Sequence, residues 1–298
     1  MGLLSLYNET SGKVSWELYR FSIIYITISN HTNIERRSDL KIVVCVKQVP
    51  DSAARLVAVD GKANWGDSPL IINPWDEYAV EAALQQAEAN NGSVTAISIG
   101  GESSKEALKH ALAMGCSDAI LISDEALAHM DSQVTSRVLA GGIKKLGDVD
   151  LAFLGRQAID TDTGLTAAQT AHLLGWPALT LVVVISNIDT AARTIKVERS
   201  AEEGRFTVSA RLPAVLSIVK DFGEPRYPSF MGIRKASRAE IPVWSLADLA
   251  LGELKPTVSW PEIMNPPQRE ITTEMITGAT PQEIAETLAD KIMAEKIL

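Results

Sequence analysis

The sequence predicts an α/β fold with an open, mainly parallel sheet, helices on both faces, added antiparallel strands and an extended C-terminal arm. Between Lys41 and Gly155, short and almost continuous apolar runs alternate with amphipathic segments that carry helix-capping residues. That alternation is typical of strand–helix units in a parallel sheet whose strands are buried on both faces. After Gly175, strand-like segments follow one another across turns without helices between them, which favours antiparallel pairing.

Length and composition restrict the classes of protein to which the chain can belong. Its 298 residues suffice for one large domain or two modest ones, and 46% hydrophobic with 22% charged residues is typical of a globular protein. The net charge of −9 disfavours nucleic-acid partners, which require a basic face. The two cysteines form no CxxC motif, which argues against a disulfide framework or a zinc site and favours a reducing compartment.

Residues 1–39 differ in texture from the rest of the chain. Their apolar run "FSIIYITI" is followed by Asn30, His31 and the charged "ERR" instead of a small-residue cleavage site, so no secretory signal is expected. No apolar stretch of the sequence reaches the length of a membrane span, so no membrane insertion is expected. We interpret these residues as an extension, either peculiar to this chain or translated from upstream of the natural start.

The first strand and the first helix have clear signals. "KIVVCVKQV" is a buried strand, and "ARLVAV" with the turn "DGKANWGD" predicts a hairpin. "INPWDEYAVEAALQQAEANNG" predicts a helix in which Asn73 is the N-cap, Pro74 occupies the first position and Asp76 stands three residues after the cap. The helix is expected to stop at Asn90, Asn91 and Gly92.

The next units repeat this organisation. "SVTAISIG", "DAILIS" and "VDLAFLG" are predicted strands, the last of which ends at Gly155. A helix with a Ser103–Glu106 capping box is expected to end at Gly115, and another is expected to run from Asp131 to Gly147.

The second half is predicted to contain antiparallel strands and a terminal helix. "PALTLVVVI", "RTIKVERS", "GRFTVSAR" and "PAVLSIV" are strand-like and separated only by turns. A proline-rich, irregular stretch follows from Pro225. "TPQEIAETLADKIMAEKIL" is an amphipathic helix started by Thr280, Pro281 and Glu283. Its apolar stripe, formed by Ile284, Leu288, Ile292 and Met293, is expected to dock on the body of the chain or on a partner.

The stretch "GRQAIDTDTGLTAAQT" lies where a ligand would sit in such a fold. Ligands of open α/β sheets bind beyond the carboxyl ends of strands, where helices begin, and helix N-termini attract anions. We expect Thr163 to be the N-cap and Gly164 the first helical residue, with Thr161, Thr163 and Thr166 adding hydroxyl donors. An ordinary capped loop would carry the same residues, and neither GxGxxG nor GxxxxGK[ST] is present to decide between the two.

The sequence contains few residue patterns typical of a catalytic or metal-binding site. None of the four histidines has metal-ligand spacing to another, and neither GxSxG nor HExxH occurs. The chain is therefore interpreted as a nucleotide-holding module and not as an enzyme by itself.

The chain resembles the electron transfer flavoprotein beta subunit from about Lys41 to its C-terminus. "KIVVCVKQVPDS", "INPWDEYAVEAAL", "ALAMGCSDAILI", "GRQAIDTDTG" and "KVERSAEEGRFTVSARLPAVLSI", followed by "EPRY", occur in the order and spacing of that family. The resemblance implies an adenine-nucleotide alpha-hydrolase-like fold and a heterodimer with an alpha subunit that holds most of the FAD. It also implies AMP in the beta subunit, and electron flow from acyl-CoA or related dehydrogenases, as in fatty acid beta-oxidation, to a quinone reductase. The expected location is the cytoplasm of a bacterium or archaeon, or the mitochondrial matrix of a eukaryote.

The resemblance also implies which residues bind the nucleotide. The cofactor-binding positions carried over from the family lie in four separate segments, each at the carboxyl end of a predicted strand or the start of a predicted helix. They are Cys45, Val46, Asn73, Pro74, Trp75, Asp76, Ile99, Gly100, Gly155, Arg156, Gln157, Ala158, Asp160, Thr161, Asp162, Thr163, Gly164, Leu165 and Thr166.

The resemblance leaves the identity of the nucleotide open. Bifurcating members, which hold a second FAD that reacts with NADH in place of AMP, usually read glycine after the "AID" aspartate. Thr161 and "TDTGLTAAQT" match neither branch in full, while "GWP" and "NPWDEYAVEAAL" favour the AMP-holding branch. A nucleotide-binding sensor or hydrolase of the same architecture is the alternative from another class.

Two partner-binding regions are implied as well. The family docks its dehydrogenase through the loop after "EPRY", and Phe230 stands where the family places an anchoring leucine. Arg226, Arg234, Lys235 and Arg238 flank the loop and could steer an acidic partner. The docking residues are Tyr227, Pro228, Ser229, Phe230, Met231, Gly232 and Ile233. Residues 40–240 are predicted to form the nucleotide-binding domain, and residues 241–298 an arm that docks on the alpha subunit.

Overall fold

The structure, a computed structural model, describes residues 39–128, 130–260, 262–267 and 273–295. The extension predicted for residues 1–39 lies outside the described residues except for Asp39. The helices are α1 (Pro74–Ala89), α2 (Lys105–Met114), α3 (Ser132–Leu146), α4 (Thr166–Leu174), α5 (Phe230–Ala236) and α6 (Pro281–Ala294). The strands are β1 (Lys41–Cys45), β2 (Gln48–Pro50), β3 (Val57–Val59), β4 (Lys62–Asn64), β5 (Leu70–Ile72), β6 (Ser93–Ile99), β7 (Asp118–Ile122), β8 (Leu151–Gly155), β9 (Ala178–Asp189), β10 (Thr194–Ala201), β11 (Gly204–Arg211), β12 (Ala214–Ile218) and β13 (Val243–Trp244).

Within the described residues, the main sheet has nine strands in the order β11-β10-β9-β12-β8-β1-β6-β7-β13. Strands β12, β8, β1, β6, β7 and β13 pair in parallel, and β9, β10 and β11 pair with one another antiparallel. Strand β1 lies inside the sheet, because the chain continues to β6 and β7 on one side of it and later to β8 and β12 on the other. The predicted open, mainly parallel α/β sheet is confirmed.

Helices cover both faces of the sheet, as the apolar runs predicted. One hydrophobic cluster joins Ile42 and Val44 of β1 to α1 and α2. The other joins Val43 and Cys45 of the same strand to α3 and α4. Because alternate residues of a strand point to opposite faces, a strand buried on both sides has no polar face, and β1 therefore reads as a continuous apolar run.

The predicted antiparallel set is wrong for one of its four segments. Strand β12 does not extend the antiparallel ladder but lies between β8 and β9 and pairs in parallel with both. All five residues of β12 are buried, which is the condition of an interior strand. Strands β10 and β11, in contrast, alternate or are exposed, as expected at the periphery.

Helix signals gave mixed results. Asp131 accepts a hydrogen bond from the Val134 N–H, and Thr280 accepts one from the Glu283 N–H, which confirms both predicted caps. The Ser103–Glu106 capping box is wrong, because a 3₁₀ turn over Glu102–Ser104 leads directly into α2 and no side chain caps that helix. The preceding turn already satisfies the geometry of the helix start, and a side-chain cap is therefore not needed there.

The C-terminal region begins inside the α/β body. Strand β13 adds Val243 and Trp244 to the edge of the sheet beside β7, and Leu249 is buried. Farther along, Asn265 exchanges two hydrogen bonds with the backbone of Ala58 in the β3–β4 hairpin. Among the described residues, no helix has the length and apolar character needed to cross a membrane.

Candidate functional site

The candidate ligand site is the space beyond the carboxyl ends of β1 and β8, called the crevice below. These two strands are neighbours, and the chain leaves them toward opposite sides of the sheet. At such a switch point the two connecting segments diverge, and a space opens between them in which open α/β sheets bind ligands. The segment after β8, residues 156–165, lies on one side of the crevice, and the start of α1 lies on the other.

Asn73 ties these two sides together. Its side chain is buried, its Nδ2 donates to the Gln157 carbonyl oxygen at 2.8 Å, and its Oδ1 accepts from the Ile159 N–H at 3.1 Å. The predicted start of α1 is confirmed, with Pro74 in the first position, but Asn73 makes no side-chain cap. A side-chain amide has one oxygen acceptor and one NH₂ donor group, and in Asn73 both groups form hydrogen bonds with the segment after β8.

Asp76 closes the floor of the crevice. Its carboxylate is 7% exposed and accepts a hydrogen bond from the Lys47 N–H, just after β1, at 2.7 Å. Burial raises the pKa of Asp76 to about 7, while hydrogen bonds from the Lys47 N–H, the Asn73 side chain and the Gly155 N–H oppose the rise. One buried carboxyl group therefore links the end of β1 to the end of β8.

Gly155 allows this close approach. A Cβ atom at this position would lie 2.4 Å from Oδ1 of Asp76 and 2.7 Å from the carbonyl carbon of Trp75. No side chain can be accommodated at such distances without displacing α1, so glycine is required at the end of β8. Glycine at this position therefore lets the start of α1 pack directly against the end of β8.

Lys47 was missed by the sequence analysis. Its Nζ lies 2.7 Å and 2.6 Å from the two carboxylate oxygens of Asp160, so that the ion pair connects the end of β1 to the segment after β8. The available signal was position alone: Lys47 comes directly after the first buried strand, at the edge where ligands bind.

The start of α4 differs from the prediction. Thr163 is not the N-cap and Gly164 is not helical, because α4 begins at Thr166 after Leu165. Gly164 has a φ of +62° and Asp162 one of +51°, and this left-handed backbone forms an exposed turn ahead of the helix. The free N–H groups of the first turn therefore begin two residues later than expected, at Thr166.

The remaining predicted positions lie at the same edge of the sheet. Cys45 ends β1, and burial raises the pKa of its thiol, which makes it a poor nucleophile. The Val46 N–H donates to the Ile97 carbonyl oxygen at 2.8 Å, and the Gly100 N–H donates to the Ile122 carbonyl oxygen at 3.1 Å. The structure thus brings the four predicted segments to one edge. Among the described residues, no group of three or more His, Cys, Asp or Glu side chains could hold a metal ion.

Arg156 and Trp75 add an aromatic element on opposite sides of the crevice. The Arg156 guanidinium lies 5.7 Å from the centre of the Trp75 ring, within the range of a cation–π contact.

A second region, residues 227–233, has the opposite character and is called the docking segment below. Tyr227 is 94% exposed, Phe230 79%, Met231 69% and Ile233 53%. Helix α5 begins within this segment, and Ser229 caps it by accepting from the Gly232 N–H at 2.9 Å. Adjoining exposed apolar side chains of this size make the segment a candidate for contact with another macromolecule.

The basic residues around the docking segment fall into two groups. Arg234, Lys235 and Arg238 are exposed. Arg226 is not a free surface charge, because its guanidinium binds the carboxylates of Glu81 and Glu88 in α1. The interpretation of Arg226 as part of a steering rim is therefore wrong: its charge is balanced inside the chain.

Comparison with known proteins agrees with this architecture. The sequence profile described as Electron transfer flavoprotein domain matches residues 67–249, more than half of the chain. The chain belongs to the electron transfer flavoprotein family. The matched region begins before α1 and ends at the buried Leu249, and so coincides with most of the α/β body.

Relatives of this chain include proteins named as beta subunits of electron transfer flavoproteins. The chain is 37% identical over 269 residues to the Caffeyl-CoA reductase-Etf complex subunit CarD of Acetobacterium woodii, covering 87% of this chain and 100% of that one. It is 34% identical over 273 residues to the electron transfer flavoprotein subunit beta of Megasphaera elsdenii, with the same coverage of 87% and 100%. It is 36% identical over 220 residues to Protein FixA of Azorhizobium caulinodans, covering 72% and 78%.

Proposed function

We propose that the chain is the beta subunit of a heterodimeric electron transfer flavoprotein and binds the adenosine 5′-phosphate part of a nucleotide in the crevice. The observation that carries the proposal is the buried polar floor formed by Asn73, Asp76 and Gly155 at the switch point of the sheet. Buried polar groups that fix two chain segments relative to each other make a preformed site, and preformed sites bind small molecules with little ordering cost.

The residues of the crevice fit an adenine nucleotide. The N–H groups at the start of α4 could bind phosphate, and Lys47, which is paired with Asp160, lies at the same edge of the sheet. Trp75 supplies an apolar ring face. In this proposal FAD, held mainly by the alpha subunit, supplies the redox chemistry, and the beta chain binds, orients and shields without breaking a covalent bond.

AMP is the proposed ligand, and a second FAD is the alternative. The match to a subunit of a caffeyl-CoA reductase–Etf complex and to FixA favours the alternative, in which the beta-site flavin would react with NADH. Both ligands contain adenosine monophosphate, so the same floor and helix N-terminus could hold either one.

One experiment separates these proposals. The chain is produced together with its alpha partner, the pair is denatured, and the released nucleotides are quantified by mass spectrometry. One FAD and one AMP per heterodimer support the AMP-binding carrier, whereas two FAD and no AMP support the bifurcating alternative. A colourless heterodimer, together with ATP hydrolysis by the isolated chain, would replace both with a nucleotide-dependent hydrolase.

Two surfaces are proposed for protein partners. The docking segment would bind an acyl-CoA or related dehydrogenase, with Phe230 in a pocket of that partner, because a central apolar group with a charged rim is the usual composition of a binding hot spot. The quinone reductase is the proposed electron acceptor.

The C-terminal arm is proposed to bind the alpha subunit. Leu288, Ile292 and Met293 of α6 are exposed along one stripe, which suits a helix that packs on another chain. Deleting residues 273–298 tests this without removing β13 and Leu249 from the body. We expect a folded chain that no longer co-purifies with alpha, and an undiminished yield of heterodimer would contradict the proposal.

A further inference from the structure

Arg226 lies directly before the docking segment and binds two carboxylates of one helix. Its Nε is 2.7 Å from Oε2 of Glu81, and its Nη1 is 2.5 Å from Oε1 of Glu88. Its Nη2 lies 3.2 Å from the second oxygen of each carboxylate. The Arg226 backbone N–H also donates to Glu81, at 3.1 Å. The planar guanidinium thus uses its fork geometry twice, which an ammonium group cannot do.

Burial makes this arrangement specific. Glu81 is 5% exposed and also accepts from the Gln85 side chain at 2.8 Å, so that its charge is matched inside the protein. Hydrogen bonds to Glu88 and Glu81 raise the pKa of Arg226, and the hydrogen bond from Arg226 lowers the pKa of Glu88. Removing one partner of such a pair leaves an uncompensated charge at a buried position, so the contact is costly to break.

A second contact fixes the far side of the docking segment. A Cβ atom at Gly232 would lie 2.3 Å from the carbonyl oxygen of Ala113, so α5 rests directly on the end of α2. The segment that carries Tyr227, Phe230 and Met231 is therefore held at Arg226 and again at Gly232, while these apolar side chains themselves are exposed.

We propose that Arg226 is a positioning residue that, by binding Glu81 and Glu88, holds the docking segment in the conformation that receives the dehydrogenase. The inference rests on the proposed docking function of residues 227–233. Exposed apolar side chains on an unrestrained loop must be ordered when a partner binds, and that ordering weakens affinity. Holding the loop in advance removes this cost without any contact between Arg226 and the partner.

The direct test is hydrogen–deuterium exchange of the purified heterodimer without a dehydrogenase. Arg226→Gln and Arg226→Lys are compared with Arg238→Gln, which removes an exposed positive charge near the same segment. We expect exchange in residues 227–233 to accelerate about 10-fold or more in both Arg226 variants and to stay unchanged in Arg238→Gln. Unchanged exchange in Arg226→Gln would overturn the inference.

A functional test uses butyryl-CoA dehydrogenase with butyryl-CoA as the electron source. The half-saturating concentration of the heterodimer should rise about 10-fold in both Arg226 variants, with an unchanged limiting rate and unchanged nucleotide content, and the rise should persist at high salt. Normal half-saturation in Arg226→Lys together with a rise in Arg226→Gln would show that charge alone matters, and would overturn the positioning role. If this dehydrogenase reduces no form of the heterodimer, the exchange measurement decides alone.

Phe230→Ala, measured in parallel, separates failure of this inference from failure of the docking proposal. Unchanged half-saturation in Phe230→Ala would contradict docking through this segment. A rise in Phe230→Ala with normal exchange in Arg226→Gln would leave docking intact and remove only the role of Arg226.

Glu88→Gln covers the case in which Arg226→Gln does not fold. The Glu88 side chain is 60% exposed, so its replacement removes half of the contact at the surface and spares the buried Glu81. We expect about a 3-fold acceleration of exchange in residues 227–233. Wild-type exchange in a folded Glu88→Gln heterodimer would count against the inference.

Discussion

The crevice and the docking segment differ in where their polar groups lie. In the crevice, Asn73 and Asp76 are buried and form hydrogen bonds with the backbone of neighbouring segments. In the docking segment the apolar side chains are exposed, and Arg226, which precedes them in the chain, pairs with the buried Glu81. In the proposed function, the first region binds a small molecule over a polar floor and the second binds a protein through an apolar surface.

The two regions are nevertheless held by the same helix. Helix α1 begins at the crevice with Pro74 and, farther along, presents Glu81 and Glu88 to Arg226. Changes at the start of α1 should therefore act on the crevice, and changes at Glu88 should act on the docking segment. The following predictions test whether the two ends of the helix can be altered independently.

The largest expected effect concerns the pH dependence of stability at Asp76. Its pKa is about 7 in the folded chain, above that of an exposed aspartate, so the folded state binds the proton more tightly than the unfolded state. Asp76 therefore favours folding at low pH, and that contribution is lost as the pH rises from about 4 to about 7. The unfolding free energy of the wild type minus that of Asp76→Asn should fall by about 2–4 kcal/mol over this range.

Chemical denaturation at a series of pH values measures this difference. Parallel curves for the wild type and Asp76→Asn would contradict the buried, proton-binding carboxyl.

Gly155→Ala tests the crevice by crowding it. The added Cβ meets Asp76 and the Trp75 backbone, and we expect a loss of about 1–3 kcal/mol in stability. Nucleotide content of the heterodimer should fall as well, while half-saturation with the dehydrogenase stays unchanged for the molecules that retain flavin. Gly101→Ala, where a Cβ would meet nothing within 4 Å, is the matched control. Full nucleotide content in Gly155→Ala would place the ligand elsewhere.

The sequence predicted which segments are buried strands but not how all of these strands pair. Continuous apolar runs predicted the buried strands, because burial on both faces leaves no polar position in β1 or β8. The same reasoning, applied to Ala214–Ile218, would have predicted an interior strand, but the absence of a helix before β12 suggested antiparallel pairing instead. Pairing partners depend on contacts that are distant in the sequence, so local pattern could not supply them.

Capping residues show the same division. Asp131 and Thr280 cap the helices that follow them, as predicted from their residue types and positions. Asn73 also has the type and position of a cap, but its side chain bonds instead to the backbone of Gln157 and Ile159, more than 80 residues away in the sequence. Arg226 was misread for the same reason, because Glu81 and Glu88 are far from it in the sequence. The role of a polar side chain depends on the hydrogen-bond partners that the fold brings to it, and these distant partners cannot be identified from the local sequence.

Asp131 joins the C-terminal arm to the start of α3. Its replacement tests whether the arm, like the docking segment, is held in place by a polar contact. Besides the Val134 N–H, its carboxylate accepts hydrogen bonds from the Thr257 N–H at 2.7 Å and the Val258 N–H at 3.1 Å. Asp131→Ala should cost about 0.5–2 kcal/mol as a lost cap and should increase proteolysis near residue 257. Wild-type stability and proteolysis would show that the arm is held by other contacts.

The smallest expected effect concerns Lys47 and Asp160, and it tests whether the crevice binds an anion. Because the pair is partly exposed, Lys47→Met should change the unfolding free energy by less than about 1 kcal/mol. A bound phosphate would, however, gain from the Lys47 charge and lose from the Asp160 charge. We therefore expect Lys47→Met to weaken AMP retention about 2–5-fold and Asp160→Asn to strengthen it by a similar factor, with both effects shrinking at high salt. Equilibrium dialysis of the AMP-stripped heterodimer measures both. Opposite changes in AMP affinity would show that phosphate competes with Asp160 for the charge of Lys47. Losses of AMP affinity of similar size in both variants would mean that the ion pair only holds the segment after β8 in place.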